Sequence, residues 1–211
     1  MARKTAAETA RTRQRILDAA GVVFSREGIA KATLEQVARQ AGVSRGAIYW
    51  HYQGKQDLLQ ALCGARELPL EHALPADIGL EAGWQLLHRA LSDTVSAAGS
   101  RHLSEIMLQQ GACATESAAA HQRLLRGREC LMEQLQRLLS QAVARGELAA
   151  TLDIAALTAF MQVCITGLLY ECLQDSGNPQ PMIASVLEAL LAVAKNPPAH
   201  LLAAAASSDR P

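Results

Sequence analysis

Between Val43 and Lys55 the chain reads VSRGAIYWHYQGK, and within that span Arg45, His51 and Lys55 stand among Tyr49, Trp50 and Tyr52. The whole chain of 211 residues has two Trp, three Tyr and two Phe, so three rings within four positions form a concentration that needs its own reason. Rings serving only as core would line one helical face and leave the cations to the other. Here both share one short segment, the mixture expected of a surface that meets a polyanion. Charge points the same way. Residues 1–66 hold eleven basic side chains, Arg3 and Lys4 among them, against five acidic ones, a net of +6, whereas residues 67–211 hold nine against fifteen, a net of −6. A basic head on an acidic body implies that the head binds the polyanion and the body does something else.

Other chemistries find little footing. The five cysteines (Cys63, Cys113, Cys130, Cys164, Cys172) show no C-x-x-C spacing, and their odd number argues against a disulfide framework. No His or Cys pair has zinc-site spacing, so neither a metal nor a cofactor is expected. A nucleophile with its base, a Gly-rich phosphate loop and a paired-acid motif are all missing from the sequence, which speaks against an enzyme. The charged start MARKTAAETARTRQR has no apolar run behind it, so a cytoplasmic protein with no membrane partner is expected.

The elements that must position the segment are helical. Ile16, Leu17, Ala20, Val23 and Phe24 recur at helical spacing between Glu8 and Glu27, and Gly28 stands at the stop. Thr33-Leu-Glu-Gln36 has capping-box form and opens a short helix with Leu34, Val37, Ala38 and Ala41 on one stripe, ended by Gly42. Ser44 then caps a third helix almost at once. Two short helices joined by a Gly-containing turn are the sequence form of a helix-turn-helix, whose second helix enters the DNA major groove. Val43, Ala47 and Ile48 face inward in this reading, and Arg45, Gly46, Tyr49, Trp50 and His51 face outward or sideways.

Beyond Lys55 the spacing predicts a linker helix to about Arg66, a Pro-bounded break, and helices near 79–97, 101–111, 116–145, 153–174 and 181–195. Nothing alternates with period two, so the fold class is all-α. Ile154 to Tyr170 carries no charge and approaches the lower length limit of a membrane span. Thr158, Gln162 and Thr166 interrupt it, and burial between a core and a partner subunit explains the pattern as well. With Ile183, Val186, Leu187, Leu190 and Leu191 on the next helix, it predicts a homodimer joined by a four-helix bundle across a two-fold axis.

The stretch TRQRILDAAGVVFSREGIAKATLEQVARQAGVSRGAIYWHYQGKQDLL resembles the DNA-binding domain of the TetR family of bacterial transcriptional regulators over its full length. Tyr52 stands where that family usually has Phe. The later segments SEIMLQQG, AVARGEL and ITGLLYECL look like the AcrR, TtgR and MexL group, repressors of multidrug efflux-pump operons. The resemblance implies a helix-turn-helix domain over 1–54 and a ligand-binding and dimerisation domain over 55–196, and the Pro, Ser and small residues of 197–211 predict a flexible tail. It also implies a dimer on a palindromic double-stranded DNA operator, released by an apolar small-molecule inducer. In such a protein Ser44, Arg45, Gly46 and Ala47 lie nearest the bases, with Arg45 able to pair bidentately with guanine. Tyr49 offers a ring edge to a thymine methyl and a hydroxyl to a phosphate, Trp50 and His51 flank the backbone, Lys55 grips a phosphate, and Thr33 or its helix N–H groups meet another. Trp50 as a packing residue stays open beside that role, and Tyr52 is expected in the core.

Inducer-contacting positions implied by the resemblance are Leu87, Ala90, Leu91, Ser104, Leu108, Leu131, Gln134, Leu135, Ile165 and Thr166, aliphatic walls with a few orienting polar groups. The linker helix from Lys55 to Arg66 is then the lever between effector and head. Two other inputs compete with an inducer: a protein partner, or cysteine oxidation. Cys164 and Cys172, about 12 Å apart along one helix, cannot bridge within the chain.

Overall fold

The structure is a computed structural model that describes residues 6–110, 118–175 and 177–203; Arg3, Lys4, Cys113 and residues 204–211 lie outside the described residues. Nine α-helices make up the described chain: α1 (Ala6–Glu27), α2 (Leu34–Ala41), α3 (Arg45–His51), α4 (Lys55–Gly64), α5 (Leu80–Ser96), α6 (Ala98–Gln110), α7 (Ala118–Ala144), α8 (Ile154–Gln174) and α9 (Gln180–Lys195). Strand structure among the described residues is limited to one isolated bridge, Leu152 to Leu202.

The sequence's own punctuation sets the ends of these helices. Gly28 and Gly42 take φ of 77° and 62°, a left-handed conformation that costs a glycine nothing. Thr33 and Gln36 close the expected capping box on α2, and Ser44 Oγ accepts from Ala47 N at 3.2 Å to cap α3. Asp153 caps α8 in the same way through Ala156 N at 2.9 Å.

Two compact units result. Among the described residues, one takes 6–68, 96–110 and 118–126, and the other takes 69–95, 127–175 and 177–203. In the first unit Ile16, Leu17, Ala20, Val23 and Phe24 of α1 pack with Val37 and Ile48 of the helix pair, with Leu58, Leu59 and Cys63 of α4, and with Leu103, Ile106 and Met107 of α6. This continuous apolar cluster runs past residue 54, because the buried face of α1 is wide enough to be shared by two further helices.

In the second unit α5 lies close on α7 at Gly83, where a Cβ would come within 2.6 Å of Leu138 Cδ1, and Trp84 Nε1 donates to the Leu187 carbonyl of α9 at 3.0 Å. The chain after α9 corrects one expectation. Residues 197–203, read as the start of a flexible tail, fold back: Leu201 is buried, Asp153 N donates to Leu201 O at 2.9 Å, and Ala203 N donates to Thr151 O at 2.7 Å.

Candidate nucleic-acid interface

The turn between α2 and α3 is held from outside the pair. Val43 N donates to Ala38 O at 3.0 Å across the left-handed Gly42, and Arg15 Nη2 of α1 donates to the Ala41 carbonyl at 2.6 Å. A guanidinium there satisfies carbonyls that a helix C-terminus leaves open and pins the helix pair to α1. In the sequence Arg15 is only one more positive charge of the head. Its role depends on a reach across 26 residues, which no local spacing encodes.

With the turn fixed, α3 buries Ile48 completely and leaves Arg45, Gly46, Tyr49 and Trp50 exposed, Ala47 and His51 half-buried. Arg45 Nη2 donates to Tyr49 Oη at 3.3 Å, and its guanidinium carbon lies 5.5 Å from the Tyr49 ring centroid. That hydrogen bond, followed by the charge interaction with Tyr49, raises the Arg45 pKa. The guanidinium is an exposed cation tethered to a ring one turn away on the same helix. Trp50 is 73% exposed, which removes the packing reading; its indole meets the His51 ring edge-on at 4.9 Å between centroids. Tyr52 is buried, with the Arg13 guanidinium 5.8 Å from its ring centroid, and burial raises its phenol pKa.

Two expected phosphate contacts stand differently. Thr33 is exposed, but its hydroxyl and backbone N–H both face Gln36 Oε1, at 2.9 and 2.8 Å, so the N–H groups of the first turn of α2 are what it can offer an anion. Lys55 corrects its expectation. Its ammonium donates to the carbonyls of Ile29, Ala30 and Ala32 at 2.8, 3.0 and 3.1 Å, which uses all three donors to hold the loop between α1 and α2. Lys55 is a clamp on the fold.

The inducer-contacting positions divide between the units. Ser104 and Leu108 lie on α6 in the first, and the other eight lie in the second. Leu87, Leu91, Leu131, Leu135 and Ile165 are buried; Ala90 and Thr166 are half-buried. Gln134 Nε2 donates to the Leu70 carbonyl at 3.1 Å and to Cys130 Sγ at 3.3 Å, which leaves Oε1 as an acceptor. Ser104 Oγ is buried and has no hydrogen-bond partner among the described residues. None of the four described cysteines is in a disulfide, and burial pushes the Cys63 pKa up to about 11, opposed by the nearby Arg123. No cluster of three potential metal ligands occurs among the described residues.

An α1-pinned helix pair presenting Arg45, Tyr49 and Trp50 on a basic head defines a helix-turn-helix DNA-binding protein. The comparisons give the family. The family profile described as bacterial regulatory proteins, tetR family, matches residues 16–62. The HTH-type transcriptional regulator SrpR of Pseudomonas putida is 41% identical over 202 residues, which cover 96% of this chain and 94% of that protein. TtgR, another HTH-type transcriptional regulator of Pseudomonas putida, is 30% identical, covering 80% of this chain and 83% of its own. Among solved structures, NalD, the secondary repressor of the MexAB-OprM multidrug efflux pump in Pseudomonas aeruginosa, superposes with a TM-score of 0.70 at 27% identity, over 88% of this chain and 96% of that one. The chain belongs to the TetR family of bacterial transcriptional regulators. It is a DNA-binding regulator, related to repressors of efflux pumps, and not an enzyme.

Proposed function

We propose that the protein represses a multidrug efflux operon by binding a palindromic operator as a dimer, and that an apolar small molecule releases it. The observation that carries the DNA half is the exposed Arg45–Tyr49 pair on α3, a cation held for base edges on a helix whose opposite side is buried. Ser44, Gly46, Ala47, Trp50 and His51 complete the reading surface. The N–H groups at the start of α2 take a phosphate.

The ligand half rests on the relatives and on the second unit, where Leu87, Leu91, Leu131, Leu135 and Ile165 are buried and the buried Gln134 keeps a side-chain carbonyl to spare. An inducer can shift the equilibrium only by its differential affinity for the two states of the protein, so it must favour a conformation in which the heads are wrongly spaced. α8 has the length and composition of a membrane span, with mean hydropathy 1.5. In this reading a second copy covers its exposed side and the protein is cytoplasmic.

The test is fluorescence anisotropy on a duplex selected by the protein from a random pool. Arg45→Ala should weaken binding roughly 10- to 100-fold and relax one base position, as loss of a bidentate contact does. A panel of apolar antimicrobials, triclosan included, should release the parent protein. Ala90→Trp should resist release while holding DNA normally. Selection that yields no enriched palindrome rejects the operator, and DNA binding untouched by every compound rejects the inducer.

A further inference from the structure

The first two turns of α1 bury no apolar side chain. Between Ala6 and Arg15 only Thr9 and Thr12 are even half-buried, and the apolar core begins at Ile16. Helix costs conformational entropy to order, and no core contact repays these two turns. They do form one wall of a groove of about 600 Å³, whose opposite side is built by Ser44, Gly46, Trp50 and His51.

We propose that this groove seats one phosphate of the DNA backbone, with Thr9 and Trp50 as its clamp, making α1 a second DNA-contact element. The proposal rests on the reading of α3 as the operator-reading helix. Its chemistry follows from which donors remain. Thr12 Oγ1 donates to Glu8 O at 2.9 Å, so its proton is committed and the side chain acts as a spacer. Ser44 Oγ accepts from Ala47 N at 3.2 Å, so its own proton is free to point into the groove. Thr9 and Trp50 both line it, and each brings a proton to give: the Thr9 hydroxyl and the Trp50 indole N–H, a group that can only donate. Among the described residues no carboxylate lines the groove, so nothing there repels an anion. Gly46 keeps the floor open: a Cβ at that position would meet only Ser44 Oγ, at 3.9 Å. Neutral donors from α1 and from the α3 segment, beside a helix that reads bases, suit a phosphodiester oxygen held for register rather than for sequence.

The experiment uses the full chain and the duplex selected from a random pool. Thr9→Val keeps the β-branched shape and loses the hydroxyl; Trp50→Phe keeps a ring and loses the N–H. Each should weaken binding about three- to tenfold, the size of one lost hydrogen bond, equally across base variants of the site. The salt dependence should stay unchanged, because a neutral donor releases no counterion. Thr9→Lys should instead steepen the salt slope by about one. In a methylphosphonate scan of the duplex, one symmetry-related pair of phosphates should weaken the parent protein yet add nothing in Thr9→Val. Parent-like binding by Thr9→Val and Trp50→Phe, together with an unchanged slope for Thr9→Lys, overturns the clamp and leaves α3 as reader if Arg45→Ala still loses affinity. Should Arg45→Ala also bind as the parent does, the helix-turn-helix reading falls and the clamp falls with it.

Discussion

The guanidinium of Arg66 lies across the face of Gly99, where an added Cβ would come within 2.7 Å of Arg66 Cζ. The same group reaches Asp18 of α1, Nη2 to Oδ1 at 3.7 Å, and the Arg66 carbonyl accepts from Arg123 Nη2 of α7 at 3.2 Å. One residue just past α4 thus touches α1, α6 and α7. Gly99→Ala should evict the guanidinium and separate it from Asp18. Both charges of that pair are about half exposed, so the loss is worth at most about 1 kcal/mol. Alanine's better helix propensity returns up to about 1 kcal/mol. The two nearly cancel, and urea denaturation should show a shift below about 1 kcal/mol. The diagnostic is a double-mutant cycle: once Gly99 is alanine, Asp18→Ala should cost only the hydrogen bond that Asp18 accepts from Gln14 Nε2. Independent effects of the two substitutions would mean that Arg66 is not held by this seat.

Lys55 and Arg45 should part company when stability and DNA binding are measured together. Lys55→Met removes three charge-assisted hydrogen bonds and leaves the carbonyls of Ile29, Ala30 and Ala32 in need of water, at a cost of about 2 to 4 kcal/mol. Hydrogen exchange should locate the loosening in residues 28–33. Arg45→Ala, on an exposed face, should melt as the parent does while losing operator affinity. A Lys55→Met protein of unchanged stability would show that the ammonium is free for a phosphate after all.

Alkaline pH should expose the buried thiol. Burial raises the Cys63 pKa to about 11 from an ordinary value of 9, so the folded state favours the neutral form. The stabilisation is fully present below pH 9 and is lost as pH rises from 9 through 11, since the unfolded chain releases the proton first. Tyr52, also raised by burial, adds a loss that begins near pH 10. Urea midpoints at pH 8 and pH 10.5 should therefore differ by less in Cys63→Ala than in the parent. At neutral pH Cys63 holds almost no thiolate, so peroxide should leave it unmodified. Rapid alkylation of Cys63 at pH 7.5 would contradict this and revive redox control.

What could be read in the sequence was what is local. Thr33 with Gln36, Ser44 and the left-handed Gly28 and Gly42 act within a few residues of themselves, so the ends they set fell within about two residues of the spacing, whereas α6, with no such signal, starts three residues before its expected 101. The faces of α3 were legible for the same reason: Ile48 in, Arg45, Tyr49 and Trp50 out. Lys55, Arg15 and Arg66 were not, because each finds its partners 23 or more residues away, and a long cation reads the same in sequence whether it faces phosphate or carbonyl. The sharing of the α1 core by α4 and α6 was hidden likewise. Each of those helices shows an apolar stripe, but a stripe does not name its partner.

The side of α8 away from the core is the place to test the dimer. Phe160, Val163 and Tyr170 are 42%, 71% and 47% exposed and recur with Gly167 at three- and four-residue steps, so they form one apolar stripe; Met182 of α9 is exposed as well. Leaving such a stripe in water forgoes about 25 cal/mol for each Å² that a partner could cover. A second copy would bring the same stripe, and a two-fold axis lets it meet itself. Val163→Glu then places two carboxylates in an interface with no basic residue on α8 to receive them. Sedimentation velocity at micromolar concentration should show the parent as a dimer and the variant as a monomer of unchanged helical content. Operator affinity should fall by about 100-fold or more, because each head then binds its half-site without the other's effective concentration. A Val163→Glu protein that remains dimeric places the interface elsewhere. A parent protein that floats with lipid vesicles instead of sedimenting alone would give the stripe to a membrane.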